Sequence, residues 1–284
     1  MKTHVLCAMP AAFGLLFGFA CSGSNATNNA PISQPAPDAA PGAPDGSAGS
    51  SSGTPEPTGE TTTVKGFSGK LFGATVESFG RLDSNGKVVA AGVNVPVKAF
   101  EDAPADAPFQ DDLVLELPKE VQEQTFLNHL RVNWLANGHG PKPYGAAHFD
   151  LHFHRGSKAD VEDQIDCRDK RDFPAELLPE GFKKPELCVK AMGFHSWPLA
   201  DLSASTWPGS IILGHYAQKL VFIEPMVAKA TFVARKDFEY TIAKPQTAGD
   251  VETLYPTIFK AKYEKTGDRY VFELGAFEPI DQAQ

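Results

Sequence analysis

The chain has 284 residues, 42% of them apolar and 21% charged, which is enough to bury a sizeable core. Its net charge of −9 excludes a nucleic-acid surface, which needs clustered cations to displace counterions. The one basic scattering, Arg168, Lys170 and Arg171, is interleaved with Asp169 and Asp172 and reads as a solvated face.

Lys2 and His4 precede an apolar stretch over residues 5–20 that is too short to span a bilayer comfortably, so residues 1–20 read as a signal peptide. Gly18-Phe19-Ala20-Cys21 resembles a bacterial lipobox, which implies lipidation of Cys21 and an anchor to a membrane. Gly18 and Phe19 depart from the usual pattern, so ordinary cleavage to a soluble exported protein is the alternative. Ser22 resembles the residue found in lipoproteins sent to the outer membrane, and the expected address is the outer membrane or cell envelope. Residues 21–63 hold the lipidated cysteine and a linker of Ser, Gly, Ala, Pro, Asn and Thr whose charges after Cys21 are Asp38, Asp45, Glu56 and Glu60. Such a segment buries too little apolar area to offset its ordering entropy and is expected to be a disordered tether. A single domain is expected over residues 64–284.

From Gly69 the pattern changes to short β-prone runs. Residues 74–79 and 87–95 flank Asp83-Ser84-Asn85-Gly86, in which an Asn-Gly pair supplies the positive φ of a tight hairpin. Further strands are expected at residues 112–117, 130–134, 147–154, 210–213, 220–224 and 230–234. A final hairpin joins residues 257–263 and 269–274 through Lys265-Thr266-Gly267-Asp268. Helices are expected at residues 119–128 and 174–178. Many short strands and few short helices predict a mainly β fold, an antiparallel β-sandwich or barrel. Cys167 and Cys188 are the two cysteines inside this domain. In an oxidising compartment they are expected to form a disulfide, the competing reading being a pair of metal thiolates without the close Cys-x-x-Cys spacing of common zinc sites.

The chemistry concentrates at residues 148–154. On an extended strand His148, Asp150, His152 and His154 share one face, while Phe149, Leu151 and Phe153 share the other. Imidazole and carboxylate suit a divalent transition metal such as Zn, Fe, Mn, Cu or Ni. Residues i and i+2 of a strand can converge on one ion, but i and i+4 cannot without a bulge or bend, so His148 and His152 need ligands from elsewhere. His195, in Gly193-Phe194-His195, and Glu224, ending Leu220-Val221-Phe222-Ile223-Glu224, are candidates by residue type. The expected metal set is His148, Asp150, His152, His195 and Glu224, binding one ion. His139, in the turn Gly138-His139-Gly140-Pro141, arrives shortly before the strand. His129 and His215 read as structural or exposed.

His-Phe-Asp-Leu-His-Phe at 148–153, Gly-Phe-His at 193–195 with Trp197 nearby, and Phe-Ile-Glu-Pro-Met at 222–226 together resemble an uncharacterised family of small bacterial exported proteins. It is a domain of unknown function with a Thermus structural prototype, and the resemblance spans residues 115–232. It implies no activity, marks His148, Asp150, His152, His195 and Glu224 as motif positions, and suggests a homo-oligomer. His154 stands where the family usually has Tyr, Ser196 is an extra residue before Trp197, and the stretch holding Cys167 and Cys188 resembles an insertion.

Gly-x-Ser-x-Gly elbows, Walker loops and Rossmann glycine fingerprints are absent from residues 64–284, which leaves serine-hydrolase and nucleotide readings without carriers. A metal-dependent hydrolase or oxidase would use Asp150 or Glu224 as base. The other class is a non-catalytic envelope protein, a ligand binder or an assembly component whose histidine strand is structural.

Overall fold

The computed structural model describes residues 59–172, 174–184 and 186–283; the expected signal peptide, Cys21 and the tether up to residue 58 lie outside them. Elements follow in chain order: β1 (Thr62–Leu71), β2 (Ala74–Leu82), β3 (Val88–Pro96), α1 (Val97–Glu101), β4 (Leu113–Glu116), α2 (Lys119–Gln124), β5 (Leu127–Leu135), β6 (His148–Arg155) and α3 (Lys158–Gln164). After them come β7 (Phe182–Lys183), β8 (Cys188–Val189), β9 (Gly193–Pro198), β10 (Gly209–Tyr216), β11 (Lys219–Ala228), α4 (Lys229–Val233), β12 (Phe238–Thr241), β13 (Thr253–Glu264) and β14 (Arg269–Ile280).

The strands form two antiparallel sheets. One has six strands in the order β1-β2-β3-β14-β13-β12, the other runs β4-β5-β6-β11-β10-β9-β7 with β8 paired to β9. Local chemistry explains the first hairpin: Asp83 Oδ1 accepts from the backbone N–H of Asn85 at 2.8 Å and of Lys87 at 2.9 Å, and Gly86 takes a φ of +77°. The apolar faces of the two sheets meet in a core that includes Val93, Phe259 and Phe272 from one and Leu130, Phe149, Leu151, Phe153 and Ile223 from the other. Two packed sheets make this a β-sandwich.

A second apolar cluster lies on the outer face of the eight-stranded sheet. Ile212, Phe222 and Met226 there pack with Val161 of α3, with Ile165 just after it and with Met192. Residues between β6 and β10, which include the Cys167–Cys188 region, therefore cover the histidine face. His148, His152 and His154 are all buried in a single chain, so their burial requires no second subunit.

Three expectations are corrected and one helix is added. The helix expected at residues 119–128 ends at Gln124, because Leu127 already opens β5. The first strand begins at Thr62, before the expected boundary; it is an edge strand with mostly exposed residues, so it lacks an apolar alternation. Residues 230–234 lie in and just after α4 rather than in a strand. Phe232 is buried with its ring stacked 4.0 Å from that of Phe100, so the segment is held by aromatic packing, not by a strand partner. Helix α3 was not expected, although Ser157 and Asp160 form a capping box at its start, a spacing visible in the sequence. No helix among the described residues is long and apolar enough to cross a membrane.

Candidate metal centre

The register of three strands builds the wall. β6 lies between β5 and β11, with Asn133, Arg131 and His129 opposite Asp150, His152 and His154 on one side. On the other side Met226 pairs with Asp150 and Phe222 with His154, which puts Glu224 level with His152. His195 of β9 pairs with Gly214 of β10. A Cβ on Gly214 would lie 2.1 Å from the Phe222 ring, so only glycine admits that ring. The ring sits 4.9 Å from His152 and 5.0 Å from His195 between centroids, forming an apolar floor for both imidazoles.

The five expected ligands divide between two triads, the first completed by His139: His139 with His148 and Asp150, and His152 with His195 and Glu224. In the first, His148 Nε2 lies 3.2 Å from Asp150 Oδ1, and His139 Nε2 lies 3.9 Å from Asp150 Oδ2. In the second, His152 Nε2 lies 3.4 Å from Glu224 Oε1, and His195 Nε2 lies 4.0 Å from Glu224 Oε2. Ligands on a tetrahedral ion with bonds of about 2.0–2.2 Å stand about 3.3–3.6 Å apart. The nearer pairs already match that span, and the longer ones need to close by about 0.4 Å. His148 and His152, four residues apart, serve different triads, as the rise of a strand dictates.

The interior leaves these atoms short of partners. Nδ1 and Nε2 of His152, Nε2 of His148, Oδ1 of Asp150 and Oε2 of Glu224 are buried without a hydrogen bond, which is costly unless something else satisfies them. Burial pushes His152 down to about 3 and His195 to about 4, so both are neutral and able to coordinate at neutral pH. Burial, reinforced by the charge of Asp150, raises Glu224 well above its usual value. Buried Arg131 stands beside this row, its Nε 3.4 Å from Asp111 and its Nη2 3.6 Å from Glu162, and its charge further disfavours protonation of His152.

His154 joins neither triad; its ring stacks on His129 at 4.9 Å and on His152 at 5.6 Å. His129 and His215 are both fully buried, His129 with Nδ1 3.0 Å from the Gly156 carbonyl and His215 hydrogen-bonded to Ser196 at 2.8 Å. His139 is the member missed from the expected set, because a turn residue follows no strand periodicity. The surrounding glycines were the available signal. Gly138 has a φ of +60°, and a Cβ there would lie 2.3 Å from the Tyr144 carbonyl oxygen, so the chain passes close enough for the His139 N–H to donate to that oxygen at 3.0 Å.

Cys167 and Cys188 form the expected disulfide, with Cα atoms 5.8 Å apart. Cys188 of β8 pairs with Phe194 of β9, the residue before His195, so the bond fastens the strand that carries a ligand. The paired Cys167→Ser/Cys188→Ser variant is expected to lose about 3 kcal/mol, the chain-entropy value for a loop of about twenty residues. Urea denaturation measures it, and an unchanged midpoint would remove the disulfide from the stability account.

The family model of the hypothetical protein TTHB210 matches part of the chain. Residues 83–134 are TTHB210-like. This is the uncharacterised family with a Thermus prototype that the motifs resemble. The TTHB210-like segment runs from the β2–β3 turn through most of β5. It supplies Arg131 and Asn133 at the edge of the wall, while the histidine, Gly-x-His and Phe-Ile-Glu-Pro-Met motifs lie downstream of it. No curated protein and no solved structure matches the chain.

Proposed function

We propose that this is an exported, lipid-anchored protein whose folded domain binds a divalent transition-metal ion through His152, His195 and Glu224. The observation that carries the reading is the buried Glu224 carboxylate, with Oε2 unpartnered and two imidazole Nε2 atoms within 3.4 and 4.0 Å of its oxygens. A divalent cation at their centre satisfies all three groups at once. The lipobox-like segment ending at Cys21 supports the anchor, and the Cys167–Cys188 disulfide is in keeping with an oxidising compartment.

Elemental analysis of the untagged protein is the test of the metal. Bound Zn, Mn, Fe, Cu or Ni is expected in the parent, with uptake lost at this triad in His152→Ala/Glu224→Gln. A folded parent that none of these ions can load rejects the reading. For the anchor, a labelled fatty acid is expected to be incorporated into the parent and not into Cys21→Ser; equal labelling of both rejects lipidation at Cys21.

A further inference from the structure

We infer that the wall takes a second metal ion, at His139, His148 and Asp150, and that this ion is the solvent-facing one with a coordination position open to a small exogenous ligand. The inference rests on the metal-binding reading and extends it from one ion to two.

The hydrogen bonds of the histidines fix which nitrogens are bare. His148 Nδ1 lies 2.7 Å from the Ala146 carbonyl oxygen, and His139 Nδ1 lies 2.7 Å from the Gly140 carbonyl oxygen. A carbonyl only accepts, so each Nδ1 carries a proton, and in the neutral imidazole that tautomer leaves Nε2 with its lone pair. Both lone pairs face Asp150, whose Oδ1 is buried and makes no hydrogen bond, and His148 Nε2 is likewise buried and unpartnered. With a neutral His148 these are two acceptors 3.2 Å apart in a protein interior, an arrangement that a cation between them satisfies. Imidazoles held by a backbone carbonyl through the nitrogen remote from the ion are the usual support of a metal ligand.

Two ions fit because the triads use successive residues of one strand face. Asp150 and His152 are about 6.6 Å apart along β6, so each ion keeps its own ligands. Each triad also contributes one carboxylate, which halves the charge of its ion and limits repulsion between the two.

The triads differ in access. The most exposed member of the first triad, His139, has its side chain 39% exposed, against 23% for His195 in the second, where the His152 and Glu224 side chains are 1% and 2% exposed. The His139 triad is the more accessible of the two, and three protein ligands on an accessible ion leave a position for water or another small donor. Tyr144 lies 5.9 Å from the His139 ring and Trp207 5.3 Å from the His148 ring, so aromatic walls bound the approach. A ligand of few atoms, such as water, hydroxide or azide, suits that space.

The experiment is cobalt loading of the full chain, with metal counted by elemental analysis and visible absorption recorded before and after azide. Two equivalents are expected in the parent and one each in His139→Ala and Glu224→Gln. Azide is expected to change the spectrum of the parent and of Glu224→Gln, and to leave that of His139→Ala unaltered. A parent that takes up one equivalent overturns the second ion while leaving the first; a parent that takes up none overturns both. Two equivalents without an azide response in the parent overturn the open position. Circular dichroism of each variant keeps a misfolded protein from being read as a lost site, and His139→Gln replaces His139→Ala if the latter unfolds.

Discussion

Zinc in thousandfold excess over its dissociation constant is expected to stabilise the protein by about 4.1 kcal/mol at neutral pH, the linkage value for a ligand that binds the native state alone. For a domain of this size that is a rise of about 10 °C in thermal midpoint. Glu224→Gln is expected to leave the midpoint of the metal-free protein nearly unchanged and to lose the zinc-induced rise at this triad. Burial raises Glu224 well above its usual value and so favours the neutral form without metal, which an amide of the same shape resembles. Zinc reverses the preference, because it needs the carboxylate and displaces the proton. A zinc response unchanged by Glu224→Gln would remove Glu224 from the ligands.

The same scans across pH fix the sign of the histidine contribution. His129, His152 and His195 are pushed from 6.5 down to about 4, about 3 and about 4 by burial. The unfolded chain therefore takes up protons first as the solution is acidified. The stability these neutral histidines contribute is fully present above pH 6.5 and falls progressively to about pH 4 for His129 and His195 and to about pH 3 for His152. Glu224, raised in the folded state, acts with the opposite sign: its contribution is fully present below its ordinary 4.5 and is lost as pH rises through its folded value. Metal-free protein at neutral pH bears that loss, and a bound ion relieves it.

What could be read from the sequence divides by the range of the interaction. The Asn85-Gly86 turn, the strands of the last hairpin and the alternation of β6 are local, and the structure places each where the residue pattern did. The disulfide followed from elimination among four cysteines. The pairing of His152 with Glu224 across β6 and β11, and of His195 with both through β9, depends on register between residues 29 to 72 positions apart in the chain. Residue type nominated those side chains, while strand order alone sorted them into two groups. The cover over the histidines was the least legible part: strands β7 and β8 have two residues each, too few for any periodicity, and the packing of Met192 on Val161 and Ile165 is tertiary. A histidine face that alternation assigns to a polar surface is consequently buried under the chain's own segment between β6 and β10.

Adjacent residues of β6 should respond in opposite ways, and Phe149 and His148 give the sharpest contrast. Phe149 is fully buried between the sheets, its ring 4.5 Å from Trp134, 5.0 Å from Phe100 and 5.8 Å from Phe232. Phe149→Ala leaves a cavity that three aromatic neighbours on separate elements cannot collapse to fill, and is expected to cost about 3–5 kcal/mol. It should not change the number of metal ions bound by the protein that remains folded, because its side chain points away from both triads. His148→Ala removes one hydrogen bond to the Ala146 carbonyl and is expected to cost only about 1–2 kcal/mol, yet to abolish uptake at the His139 triad. Urea midpoints and metal content measured on both variants separate the effects. Metal loss in a folded Phe149→Ala, or full metal content in His148→Ala, would mean that the two faces of β6 do not divide stability from binding as their alternation requires.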